Sequence, residues 1–167
     1  MKYTWALAKL DDIDNIMQMA EDSFINEIDN IFTPHHPAYQ RNLAYAIMNQ
    51  FYYSGSELLS VAKEDETGRV LAYNWAKSGD RAWWSDDLMI NVRMAHVDLS
   101  LGAKTRVKLI KDMMEQWERL AHYSRNPIIC SSTMRHDQTT FLKLHEQAGY
   151  SVRGSFAYKR VELEPVS

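Results

Sequence analysis

His96 and Asp98 lie two residues apart in a strand-like run over residues 89–99. Period-two alternation sets Val92, Met94, His96 and Asp98 on one face of that run and Arg93, Ala95, Val97 and Leu99 on the other. An imidazole and a carboxylate on one face are groups that take up and release protons, so both are general-base candidates. The structural alternative is a histidine bonded within a sheet and an aspartate capping the next turn. His145 shares a helix face with Phe141 and Ala148, which aims it at a core, where it either titrates near neutral pH or is a packed core histidine. His35 and His36 stand side by side in a loop with two prolines. Adjacent imidazoles can ligate metal, but no third ligand has helpful spacing, so no metal is expected. Trp83 and Trp84 read as an apolar wall or an interface; neighbours on a strand face opposite ways, so at most one belongs to a core. Cys130 lies in an apolar run and reads as packing.

These residues need elements to position them. Residues 3–10 alternate as a strand, and Asp11 stands as the N-cap of a helix whose stripe is Ile13, Ile16, Met17, Ala20 and Phe24. The stretch NEIDNIFTPHHPAY reads as a loop, and residues 39–53 form a second helix with Leu43, Ile47 and Phe51 on one face. Residues 58–63 and 70–77 are strands joined by a charged turn with Gly68. Residues 78–88 read as a loop, 89–99 as a strand, and 104–123 as a long amphipathic helix on Val107, Ile110, Met114, Trp117 and Ala121. Residues 127–133 suit a buried strand. From Asp137 to Lys159 the pattern is a helix stopped at Gly149, then a hairpin.

The order is therefore β α α β β β α β α β β in a single domain over residues 1–167. At 167 residues, 46% hydrophobic and 25% charged, the chain has the makeup of one soluble globular domain. A net charge of −3 gives no basic field for nucleic acid, so nucleic-acid binding is not expected. One cysteine excludes a disulfide framework and fits a reducing, cytoplasmic setting. No run of roughly 18 apolar residues is present, so no membrane span is expected.

The closing segment also carries a resemblance. Its helix ends Leu144-His145-Glu146-Gln147-Ala148-Gly149-Tyr150, which resembles the aromatic-Glu-Lys-Leu-Gly-Phe pattern closing the last helix of GCN5-related N-acetyltransferases, and the element order is similar to theirs. The resemblance implies a mixed α/β (α+β) fold with a mostly antiparallel central sheet flanked by helices, in which the strands at 89–99 and 127–133 splay into a V for the pantetheine arm. It further implies acetyl-CoA as cofactor and a primary amine, on a small molecule or a protein, as acceptor. His96 and Asp98 would border the thioester as bases, and His145 takes the slot of a tyrosine that protonates the departing thiolate. His35, His36 and Trp83 would contact the acceptor, the histidines otherwise being plain surface, and Ser131 and Ser132 would either touch the pantetheine or satisfy backbone groups.

The match is poorest where that family cradles the pyrophosphate on a glycine-rich turn at a helix N-terminus. Here the turn reads Ser100-Leu101-Gly102-Ala103-Lys104-Thr105-Arg106-Val107, with Gly102 alone in register. Leu99, Gly102, Ala103, Lys104, Thr105 and Arg106 are the cofactor-binding expectation. Two readings follow. Either the cations add attraction and the chain is an acetyltransferase, or their side chains block the cradle and the fold serves a non-catalytic binding or structural role, as in acetyltransferase-like proteins of tailed phages. The second reading places the chain in a viral particle or larger assembly. Whether the chain forms a homo-oligomer is not legible.

Overall fold

The computed structural model describes residues 1–28, 31–135 and 138–166. Asp29 and Asn30 of the first loop, and His136 and Asp137 at the head of the closing segment, lie outside the described residues, as does Ser167. The elements are β1 (Tyr3–Leu7), α1 (Ile13–Glu27), α2 (His36–Tyr52), β2 (Glu57–Glu64), β3 (Val70–Arg81), β4 (Leu88–Val97), α3 (Ala103–Ser124), β5 (Ile128–Cys130) and α4 (Thr139–Gln147). The five strands form one sheet in sequence order, antiparallel except for the parallel β4–β5 pair.

Each face of the sheet buries its own core. Ile16, Ala20, Leu43, Ala46 and Ile47 of α1 and α2 pack on Leu59, Val61, Tyr73 and Trp75. On the other face Leu109, Ile110, Met113, Met114 and Trp117 of α3 pack on Ala72, Ala76, Ile90 and Val92. Trp117 is fully buried and its indole N–H donates to Asn74 Oδ1 at 2.7 Å, the partner a buried indole requires. The helix stripes read from periodicity are thus largely the buried ones, with Phe51 of α2 and Ala148 at the end of α4 as exposed exceptions. Phe51 is 80% exposed, while its neighbour Gln50 is the residue turned to the sheet, accepting the Leu59 N–H at 2.9 Å.

Four expectations need correction. The helix start is delayed: a 3-10 turn at Leu10–Asp12 precedes α1, and the Asp12 carboxylate, not Asp11, accepts the Lys9 N–H at 2.8 Å. The β3–β4 hairpin extends into the expected loop at 78–88, with Gly79 at φ 83° in the bulge that keeps it paired. The strand expected at 127–133 shrinks to three residues, and Cys130 is exposed rather than packed. The closing hairpin does not form: α4 stops at Gly149 (φ 90°) as expected, but 151–166 carry no strand and lie exposed. Alternation in sequence makes a strand only where an unpaired edge offers a ladder. Here the tail instead crosses the α1–α2 connection, with Tyr158 edge-on to Phe32 and Arg160 donating to the Ile31 carbonyl.

The feature that builds the site is a bulge. Trp75 pairs with Met94 and Ala76 with Val92, so Arg93 is an extra residue, its guanidinium 5.1 Å from the Trp75 ring centroid. The bulge resets the alternation: Val92 joins the α3 core, while Met94 packs on the α1–α2 side. Strict period two places Val92 and His96 together; the bulge separates them.

Candidate active site

β4 pairs with β5 only from Met89 to Asn91, then continues to Val97 without that neighbour. A cavity of about 270 Å³ occupies the gap. Its walls come from the end of β4 (Ala95, His96, Val97), from Leu99, from the first turns of α3 (Ala103, Arg106) and from the head of α4 (Thr140, Phe141), with Arg135 before it.

Gly102 is the N-cap of α3, at φ −61° and ψ 151°, and supplies no side-chain cap. The N–H groups of the first helical turn therefore lack the acceptor that a Ser or Asp would bring. A Cβ built at Gly102 would meet nothing within 4 Å, so space lies open above the turn. Lys104 is exposed and Thr105 half-buried. Arg106 lines the cavity, and its Nε is buried without a hydrogen-bond partner. A buried N–H of a charged group left unpaired costs about 1–3 kcal/mol or more, which an anion in the cavity would remove. Open backbone donors, an orphaned guanidinium N–H and room above the glycine fit the phosphate groups of coenzyme A. Lys104 and Arg106 do not fill the cradle: one side chain is in solvent and the other forms a wall.

His96 lies on that cavity and is 4% exposed. Its Nδ1 is hydrogen-bonded to Tyr73 Oη, the rings meeting edge-on at 4.9 Å, and Tyr73 Oη in turn lies 2.9 Å from Tyr39 Oη on α2. Asp98 borders an adjoining hollow of about 690 Å³ instead, with Leu99 common to both. Its carboxylate accepts the Ser100 N–H at 2.9 Å and pairs with the Arg69 guanidinium. Burial pushes the Asp98 pKa up, but the bonds from Ser100 and Arg69 outweigh it and hold the carboxyl below its ordinary value. Asp98 therefore stays ionised and tied, closing the turn that leads into α3.

His145 is 3% exposed and does not reach the cavity. It lies 2.8 Å from both the Phe141 carbonyl, through Nδ1, and Ser131 Oγ, through Nε2. A carbonyl only accepts, so Nδ1 carries the proton and Nε2 takes the serine hydroxyl. Burial pushes its pKa down, opposed by the bond to Phe141. His145 is thus a neutral core histidine, stacked on Trp117, that orients Ser131, not a donor facing the gap. Tyr150 packs edge-on to it with a buried Oη that has no partner, and burial, helped by Glu118, raises its pKa to about 12.

The acceptor-side residues do not converge on the cavity. His35 caps α2, its Nδ1 accepting from the Ala38 N–H at 3.2 Å. His36 lies 3.5 Å from the Glu21 carboxylate and borders an apolar hollow of about 400 Å³ with Phe24, Ile25 and Phe32. Trp83 is 100% exposed before β4, at the end of that strand opposite His96. Sequence reasoning missed Arg135 and Thr140 as cavity walls, Arg69 as the partner of Asp98, and the Tyr39–Tyr73 pair behind His96. Tyr73 shares a face with Trp75 in the strand pattern, which was a usable signal; the others depend on how loops return. Among the described residues no group of three or more His, Cys, Asp or Glu stands close enough to hold a metal ion, and no helix is long and apolar enough to cross a membrane.

No family model and no curated protein matches the chain in sequence. Solved structures match it in fold. A predicted acetyltransferase of Clostridium acetobutylicum, solved with acetyl-CoA, superposes with a TM-score of 0.70 at 12% identity, over 98% of this chain and 96% of that one. The glucosamine-6-phosphate N-acetyltransferase of Arabidopsis thaliana gives 0.66 at 10% identity, over 97% and 100%. The aminoglycoside antibiotic 6'-N-acetyltransferase of Acinetobacter baumannii gives 0.66 at 11% identity, over 98% and 100%.

Proposed function

Because the chain has the fold of the GCN5-related N-acetyltransferases, we propose that it is an acyltransferase that moves an acetyl group from acetyl-CoA to a primary amine by direct attack. The observation that carries this reading is the single cavity that joins the open α3 N-terminus, the orphaned Arg106 Nε, the unpaired edge of β4 and His96. Acetyl-CoA would supply a thioester carbonyl, activated because a thiolate is a good leaving group. Arg106 and the first-turn N–H groups of α3 bind its phosphates. Backbone N–H groups along the unpaired edge of β4 receive the charge that develops on the carbonyl oxygen.

His96 accepts the proton that the amine nitrogen loses as its bond to the carbonyl carbon forms and the C–S bond breaks. Tyr73 fixes the imidazole from behind. The open cradle and the inward Arg106 favour this reading over the non-catalytic one, for which the exposed Trp83 and Trp84 would be a contact surface.

The test is release of free thiol from acetyl-CoA in the presence of a panel of amines, amino sugars and peptides. Amine-dependent release that falls by about 10²-fold or more in a His96→Gln variant is the expected result, the usual size of a general-base contribution. Release from no amine, with His96→Gln indistinguishable from the parent, would reject it.

A further inference from the structure

The chain carries a net charge of −3, yet the walls of the 270 Å³ cavity hold two arginines and, among the described residues, no carboxylate. Arg106 enters from α3 on one side. Arg135 enters from the other, in the segment between β5 and α4, next to Thr140 of the first turn of α4. Among the described residues no carboxylate pairs with either guanidinium, and Arg106 Nε is buried with no acceptor. Two like charges lining one small cavity repel each other, and an anion between them would offset that repulsion.

We infer that Arg135 is a second phosphate-binding residue, which with Arg106 grips the diphosphate of coenzyme A from the α4 side. The inference rests on the acyltransferase reading for the identity of the ligand, but on the cavity alone for its charge. It also gives a reason for the departure of this chain from a glycine-rich turn. Where a second glycine would let backbone N–H groups approach the diphosphate, a guanidinium fork on the opposite wall supplies paired donors across the gap.

The experiment titrates the full chain, and its Arg135→Gln and Arg135→Lys variants, with coenzyme A and with inorganic pyrophosphate by calorimetry, alongside S-acetylpantetheine, which has the thioester and no phosphate. Arg135→Gln is expected to weaken coenzyme A and pyrophosphate by about tenfold or more, with Arg135→Lys between it and the parent, since a lysine keeps the charge and loses the fork. S-Acetylpantetheine is expected to bind parent and variant alike, and the unfolding midpoint to be unchanged. Arg135→Gln binding both anions within twofold of the parent would overturn the inference while leaving the acyltransferase reading intact. Arg135-dependent binding of pyrophosphate by a chain that ignores coenzyme A would do the reverse. Equal losses for all three ligands would mark a structural role and would also overturn the inference.

Discussion

At the scale of single residues, three side chains whose types suit proton transfer have different surroundings, and their surroundings separate their roles. Asp98 is ionised and held by Ser100 and Arg69. Its depressed pKa means that its contribution to stability is complete above the ordinary carboxylate range and is lost as pH falls through the lower native value. Asp98→Asn is therefore expected to remove part of the acid-range stability, read by unfolding between about pH 2 and 5, while leaving the shape of the pH–rate profile above pH 6 unchanged. A rate that no longer falls along the acid-side limb in Asp98→Asn would show that Asp98, not His96, is the base. His145 has the same sign for a different reason. Burial favours its neutral form, so the native state resists protonation and stability falls as pH drops below about 6.5, through the lower native pKa. His145→Phe should flatten that dependence. It should also cost about 1–3 kcal/mol in denaturant unfolding, because the Ser131 hydroxyl loses its partner in a partly buried place. The slot of His145 in the closing helix suits a thiolate donor, but a helix face tells which way a residue points and not whether a cavity lies there.

At the scale of elements, the site is made by what strands and helices leave undone. β5 is three residues long and releases β4 at Asn91; the Arg93 bulge then re-aims the strand; α3 begins on a glycine with no cap. Gly102 is not required by its own geometry, since its φ of −61° suits any residue and a Cβ there meets nothing. Gly102→Leu is thus expected to cost about 1 kcal/mol of denaturant stability, as for the loss of a favourable N-cap residue, yet to weaken coenzyme A about tenfold or more by filling the cradle. A large loss of stability with affinity preserved would mean the glycine serves the fold. α1 and α3 were legible in sequence because a buried stripe repeats every three to four residues along each helix, as Ile13, Ile16 and Ala20 or Ile110, Met114 and Trp117 do. The bulge was not legible, because one extra residue changes no composition. Nor was the absence of the closing hairpin, because Val152, Phe156 and Tyr158 have the residue types of a strand whether or not an edge is there to receive them.

At the scale of the whole molecule, the sheet keeps two cores apart, with α3 and α4 packed on one face and α1 and α2 on the other, and the cavity lies at the end of β4. The strand and helix order was largely readable from the sequence, and the family resemblance marked Leu99, Gly102, Ala103, Lys104, Thr105 and Arg106 as the cofactor-binding expectation, of which Leu99, Ala103 and Arg106 line the cavity. Neither assigns Arg135 and Thr140, since only the return of the chain after β5 brings them to the same cavity. The proposed function requires this cavity to bind an acyl-CoA. It is tested most directly by thermal unfolding with and without acetyl-CoA. At a concentration of 100 times its Kd, the ligand stabilises a native state by about 2.7 kcal/mol, which for a chain of this size raises the unfolding midpoint by roughly 5–10 °C. Such a rise is expected in the parent chain, and a clearly smaller one in Arg106→Gln at the same concentration. An unchanged midpoint at millimolar acetyl-CoA would contradict the proposed function.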